Sequence, residues 1–187
     1  MEQIEKTEKQ QAFHNKMLAD CQAVLKHNKL TPILTGSALL GYMRTGDLLT
    51  WYPPGSVFII RYHEIKSEQH EQKIYDDLIN SGFEIIKYFK KKNNWKITVR
   101  RDIFLIEITG FYKDGKNYVR NNTKHRIKTI PKRFLSKFQK IEIRGTEYIC
   151  PFEIENYLSH LYTDWKTPIK TGKRGELRNK AYSRFTK

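Results

Sequence analysis

A glycine and a serine, Gly36-Ser37, stand between a short apolar run, Ile33-Leu34, and the helix-forming stretch that ends near Met43. A strand that turns into a helix on such a pair points backbone N–H groups and a hydroxyl at an anion, and the helix dipole adds to the attraction. Gly36 and Ser37 are therefore candidate ligands for a phosphate or nucleotide, and Arg44, a cation in the same stretch, is grouped with them. The same glycine also serves to end a strand. Asp102 and Glu107 stand on the same expected strand. By the two-residue alternation of a strand those carboxylates face opposite sides. A rearranged metal set of Asp102, Glu64 and His63 is conceivable. Equally, His63-Glu64 reads as a solvated strand end, and Asp102 as an edge charge paired with Arg100 or Arg101. There is no Gly-x-Ser-x-Gly elbow, no Walker loop and no His/Cys metal spacing, so hydrolase and zinc chemistry have no support.

These residues need a scaffold. Phe13, Met17, Cys21, Val24 and Leu25 recur at helical spacing and predict an amphipathic helix over about 8 to 28. Ile33-Leu34 predicts a buried strand, Ser37 to Met43 a short helix, and Gly46-Asp47 a turn. Val57 to Tyr62 reads as a strand. Glu68 to Ser81 reads as a helix stopped by Gly82. Three strand-like runs follow, Phe83 to Phe89, Trp95 to Arg100 and Ile103 to Thr109, the first two joined as a hairpin. Tyr112 to Lys140 is expected to be irregular, Ile141 to Cys150 one strand across Gly145, and Phe152 to Tyr162 a short helix. With no repeat and no linker, residues 1–187 are expected to form a single domain with a basic, loosely packed tail over 170–187.

Three stretches in this order resemble the LicD/fukutin family of phosphotransferases. Gly36, Leu39, Leu40, Gly41, Arg44, Gly46, Asp47 and Trp51 fall in register with the family's "GGTLLGAVR" and "HGDFIPWDDDID" patterns. Asp102-Ile103-Phe104 is similar to its "DIF" strand. Tyr148 to Leu158, then Leu161-Tyr162 and Asp164-Trp165 to Pro168, look like its closing proline-led helix, "YL..LYG" and "DW..P". The resemblance implies an α/β (α+β) fold of the nucleotidyltransferase type, a mixed sheet flanked by helices. It also implies transfer of a phosphorylated alcohol, such as phosphocholine, from a CDP-linked donor to a glycan. In that chemistry carboxylates hold Mg²⁺ or Mn²⁺, which neutralises charge on the transferring phosphate.

The chain departs from the family where the metal would sit. The family's aspartates align with Tyr52, Pro53, Pro54 and Ser56, none of them a carboxylate. Asp102 is the acid left in register. The reading that follows is a degenerate member without a resident metal, which binds a nucleotide or phosphorylated glycan, or scaffolds or regulates. The alternatives are an active transferase with the rearranged metal set, and a basic nucleic-acid-binding protein.

Net charge is +15, from 35 Lys+Arg against 20 Asp+Glu, which favours anionic partners. An AT-rich coding sequence inflates lysine in the same way. Tyr88 to Lys92 and Lys113 to Lys140 interleave basic and aromatic residues as nucleic-acid surfaces do, although a solvated face looks the same. Cys21 and Cys150 are too few and too far apart for a disulfide scaffold. The polar start carries no signal peptide, and no apolar run reaches a span's length, so the expected location is cytoplasmic.

Overall fold

A computed structural model describes residues 2–49, 55–91, 93–121, 127–162 and 164–167. The first helix, α1 (Glu2–His27), leads into a short strand, β1 (Ile33–Thr35), which turns directly into α2 (Gly36–Thr45). Next come β2 (Gly55–Arg61), a 3-10 turn at Tyr62–Glu64, and α3 (Glu68–Asn80). Then β3 (Glu84–Lys91), β4 (Asn94–Arg101) and β5 (Phe104–Asp114) form a meander. The chain continues with β6 (Asn117–Asn121), β7 (Ile127–Pro131), a 3-10 turn at Lys132–Leu135, β8 (Phe138–Ile143), β9 (Thr146–Pro151) and α4 (Ile154–Leu161). The main sheet runs β3-β4-β5-β2-β1-β9-β8. Its pairings are antiparallel except β2 with β5 and β1 with β9. The fold is thus α+β, a mixed and mostly antiparallel sheet flanked by helices. No described helix is long and apolar enough to cross a membrane.

The two faces of the sheet differ because strand residues alternate. Trp95, Ile97 and Val99 on β4, Ile106 and Ile108 on β5, Phe58 and Ile60 on β2, and Leu34 on β1 are buried on one side. Helices α1 and α3 cover that side: Trp95 Nε1 donates to Glu71 of α3 at 2.6 Å, and Tyr148 Oη of β9 donates to Asn15 Oδ1 of α1 at 2.8 Å. The other side carries Lys96, Thr98 and Arg100 on β4, and Leu105, Glu107 and Thr109 on β5. Helix α4 packs near its β1 end, where Tyr157 meets Thr35.

The sequence reading needs correcting in three places. The described residues between 112 and 140 are not irregular: β5 extends to Asp114, and β6 and β7 pair as a hairpin. Residues 141–150 are not one strand but most of the β8–β9 hairpin, turning at Arg144 and Gly145, both at positive φ (48° and 74°). That is the geometry a tight two-residue hairpin turn demands. Asp102 is not on a strand either. It occupies the β4–β5 turn at φ 54°, a left-handed conformation that aspartate tolerates better than most residues. The basic tail over 170–187 lies outside the described residues.

One core group makes stability pH-dependent. His14 of α1 is 6% exposed and stacks on the Phe104 ring at 4.6 Å. Burial pulls its imidazole down to about 4, against the opposing pull of Asp47. The unfolded chain, with an ordinary imidazole near 6.5, then binds the extra proton first, so stability falls as pH drops from about 6.5 toward 4. The expected loss attributable to His14 between pH 7 and pH 5 is about 2 kcal/mol. Urea unfolding of the native chain and of His14→Phe at the two pH values checks this: the variant should lose that part of the slope.

Candidate functional site

The candidate phosphate site lies at the turn from β1 into α2. Thr35 ends β1 in an extended conformation, and Gly36 begins α2 at φ +62°. A side chain at position 36 would be strained there, which gives the glycine a physical reason. Thr35 occupies the N-cap position, but its side chain makes no cap hydrogen bond. The hydroxyl is turned to Tyr157 Oη of α4 instead. The first turn of α2 holds no acidic residue, so the positive end of its dipole is not offset from within the helix.

Register places this turn at the end of a row across the sheet. Thr35 pairs with Val57, Val57 with Glu107, Glu107 with Thr98, and Thr98 with Lys87. The β2 positions in line with this face are Gly55, Val57 and Ile59, whereas Ser56 pairs with Ile106 on the alternate register. Glu107 is the carboxylate of the row, and the neighbouring Lys96 ammonium pairs with it. Tyr52, Pro53 and Pro54, where the family alignment puts its aspartates, lie outside the described residues.

The other candidates are dispersed. Asp102 is exposed in the β4–β5 turn, beside the Gly55 end of β2. It does not pair with the arginines beside it: Arg100 bonds Glu84 at 2.6 Å, and Arg101 bonds Asp20 and the Ser81 carbonyl. His63 and Glu64 follow the far end of β2, a strand length of about 20 Å away at roughly 3.3 Å per residue. Glu64 is already committed, accepting from Thr31 N at 2.9 Å and from Arg61 Nη2 at 2.6 Å. The structure therefore does not bring Asp102, Glu64 and His63 together as a metal set. Among the described residues no group of three His, Cys, Asp or Glu is placed to hold a metal ion.

Arg44 sits at the opposite end of α2 from Gly36, about 12 Å along the axis at 1.5 Å per residue. Its Nε donates to the Trp165 carbonyl at 2.6 Å and its Nη2 to the Thr167 carbonyl at 3.2 Å. Asp164 shapes the same turn by accepting from Lys166 N and Thr167 N, both at 3.1 Å. The Arg44 and Asp-Trp motifs are thus two halves of one clasp between α2 and the segment after α4. Gly46-Asp47 is structural as well. Gly46 closes α2 at φ 73°, its N–H bonded to the Tyr42 carbonyl at 2.8 Å, and Asp47 pairs with Arg144 at 2.7 Å.

The chain is similar to two solved structures at low identity. One is the antibiotic-resistance factor ANT(2'')-Ia, at 8% identity over 75% of this chain and 66% of that one, with a TM-score of 0.49. The other is a Thermotoga maritima protein described as a nucleotidyltransferase, at 13% identity over 79% of this chain and 84% of that one, with a TM-score of 0.47. No protein-family model matches the chain, and no curated protein does. The LicD/fukutin likeness accordingly rests on its three motifs alone.

Sequence reasoning did not bring Tyr157 to Thr35 at the Gly36 turn, nor place Glu107, its partner Lys96 and Thr98 along the row that leads from that turn across the sheet. The signal for the sheet residues was present in β4, where Lys96, Thr98 and Arg100 alternate with Trp95, Ile97 and Val99. Such alternation marks a strand with one polar face. Their alignment with Thr35 depends on the parallel β2–β5 pairing, which no local pattern encodes.

Proposed function

We propose that this domain binds the phosphate of a nucleotide or phosphorylated glycan at the start of α2, on Gly36 and Ser37, without a metal of its own. The observation that carries the reading is the helix start itself. The Thr35 hydroxyl that would cap α2 is held by Tyr157, and Gly36 takes the conformation that lets the backbone approach a ligand. The row beside it speaks against the family's metal chemistry. Its β2 positions, Gly55, Val57 and Ile59, offer no side-chain oxygen, and its carboxylate, Glu107, pairs with Lys96. Mg²⁺ or Mn²⁺ needs several oxygen ligands, and a lysine on the nearest one competes for it. These residues do not fit the metal.

The motif resemblance narrows the ligand class to CDP-linked donors and phosphorylated glycans, and the role to binding, scaffolding or regulation. Calorimetry with CMP, CDP and CTP tests this. The expected dissociation constants are on the order of 10–1000 µM, unchanged by Mg²⁺ and weakened about tenfold or more by Gly36→Val, since 1.4 kcal/mol of lost contact suffices. Submicromolar binding that requires Mg²⁺, or metal-dependent release of CMP from a CDP-linked donor, would overturn the reading.

A further inference from the structure

Strand β3 is an edge of the main sheet, paired only with β4 along its ladder. Register sorts its residues onto two faces. Tyr88 and Lys90, in line with Ile97 and Trp95, meet Glu71 beneath α3. Lys87, Phe89 and Lys91 therefore stand on the opposite side, in line with Thr98, Lys96 and Asn94. Lys87 and Lys91 are exposed, and Phe89 is half-buried with the Lys91 ammonium 5.6 Å from its ring centroid. The acidic residues on this part of the face are engaged: Glu84 with Arg100, and Glu107 with Lys96. Neither Lys87 nor Lys91 has a carboxylate partner among the described residues.

We propose that this face of β3 and β4 binds single-stranded nucleic acid. The spacing is the argument. Cation, aromatic ring and cation recur at every second residue of a strand, about 6.6 Å apart. A ring flanked by two ammonium groups takes one base by stacking and the phosphates on either side of it by charge. That combination is how sequence-tolerant single-strand surfaces work. An acidic peptide satisfies the lysines but leaves the ring without a planar partner, and a duplex keeps its bases stacked away from it. The excess of positive charge over the whole chain, +15, adds long-range attraction for such a polyanion. The surface is separate from the α2 start: the row from Lys87 to Thr35 crosses four inter-strand gaps, about 19 Å at roughly 4.8 Å each.

Fluorescence anisotropy with a labelled oligothymidylate, its annealed duplex and polyglutamate tests the proposal. The single strand should bind best, and its affinity should fall about sevenfold between 50 and 200 mM salt, the slope expected for two phosphate contacts. Phe89→Ala should weaken it about fivefold or more, while Phe89→Trp, which keeps a stacking face, should retain it. Lys87→Ala with Lys91→Ala should flatten the salt dependence. Circular dichroism of each variant distinguishes lost binding from lost folding. No oligonucleotide binding, equal binding of duplex or polyglutamate, or indifference to Phe89→Ala in a folded protein overturns the proposal. Mononucleotide calorimetry on Phe89→Ala reads the α2 start independently, so failure of one site is not mistaken for failure of the other.

Discussion

Glu71→Ala is expected to destabilise the protein by about 3 kcal/mol. Glu71 lies on α3 and is 5% exposed. Its carboxylate accepts from Trp95 Nε1 at 2.6 Å, from Lys90 Nζ at 2.7 Å and from the Tyr88 hydroxyl. Burial pushes this carboxyl up, but the hydrogen bonds from Lys90, Tyr88 and Trp95 outweigh it and hold it below the usual carboxylate range. Removing the acceptor affects the donors unequally. Lys90 is partly exposed and turns to water, so its loss is small. Trp95 is fully buried, and its indole N–H is left without its partner at a cost of about 1–3 kcal/mol. The lost packing of the side chain adds to that. Glu71→Gln retains one acceptor oxygen and is expected to cost about half as much. Denaturant unfolding at neutral pH checks both, and an alanine variant within about 0.5 kcal/mol of the native chain, an ordinary surface value, would mean that this cluster does not join α3 to the sheet.

Gly41→Val is the second large effect, expected at about 2–3 kcal/mol. A Cβ at position 41 would stand 2.7 Å from the Asp47 carbonyl oxygen, 2.9 Å from Leu49 N and 3.0 Å from Leu49 Cγ. Two of those three atoms are backbone, so relief requires the segment after α2 to move as a unit. That segment carries buried Leu48 and Leu49, and Asp47 with its bond to Arg144. Gly41→Ala regains up to about 1 kcal/mol of helix propensity and so comes out milder, still destabilising by about 1 kcal/mol. Thermal unfolding of the pair measures the ordering. An alanine variant more stable than the native chain would show that the loop yields easily and that Gly41 is not a packing requirement.

Gly41 also shows how much of the fold was legible. Its place in the Leu39-Leu40-Gly41 motif is visible in the sequence, but its reason, a loop pressed against the helix, is not. Helices α1 to α4 and the strands from β1 to β5 follow from local periodicity and from turns at Gly46, Gly82 and Asn93. The β6–β7 hairpin was hidden because its strands are short and Tyr118 and Val119, both buried, are consecutive rather than alternating. The β8–β9 turn was passed over although the apolar positions change phase across Arg144-Gly145, from Ile141 and Ile143 to Tyr148 and Cys150, because Ile149 continues the first series and blurs the break. At the candidate site, Gly36-Ser37 was readable as a strand-to-helix turn. Arg44 was read as a phosphate ligand from its place in a motif, whereas the structure engages it with the Trp165 and Thr167 carbonyls. Asp102 looked like a strand acid because a turn of only Asp102 and Ile103 does not interrupt the apolar run. Glu107 rose in importance only when parallel pairing set it level with Val57 and Thr35.

The most direct test of phosphate binding without a metal is an amide chemical-shift titration of the protein with CMP, run with and without Mg²⁺. The account predicts saturable shifts centred on Gly36, Ser37 and Ala38, with the same midpoint in both conditions. Shifts that appear only with Mg²⁺ and centre on Glu107 or Asp102, or a Gly36 turn that does not respond at all, would contradict it.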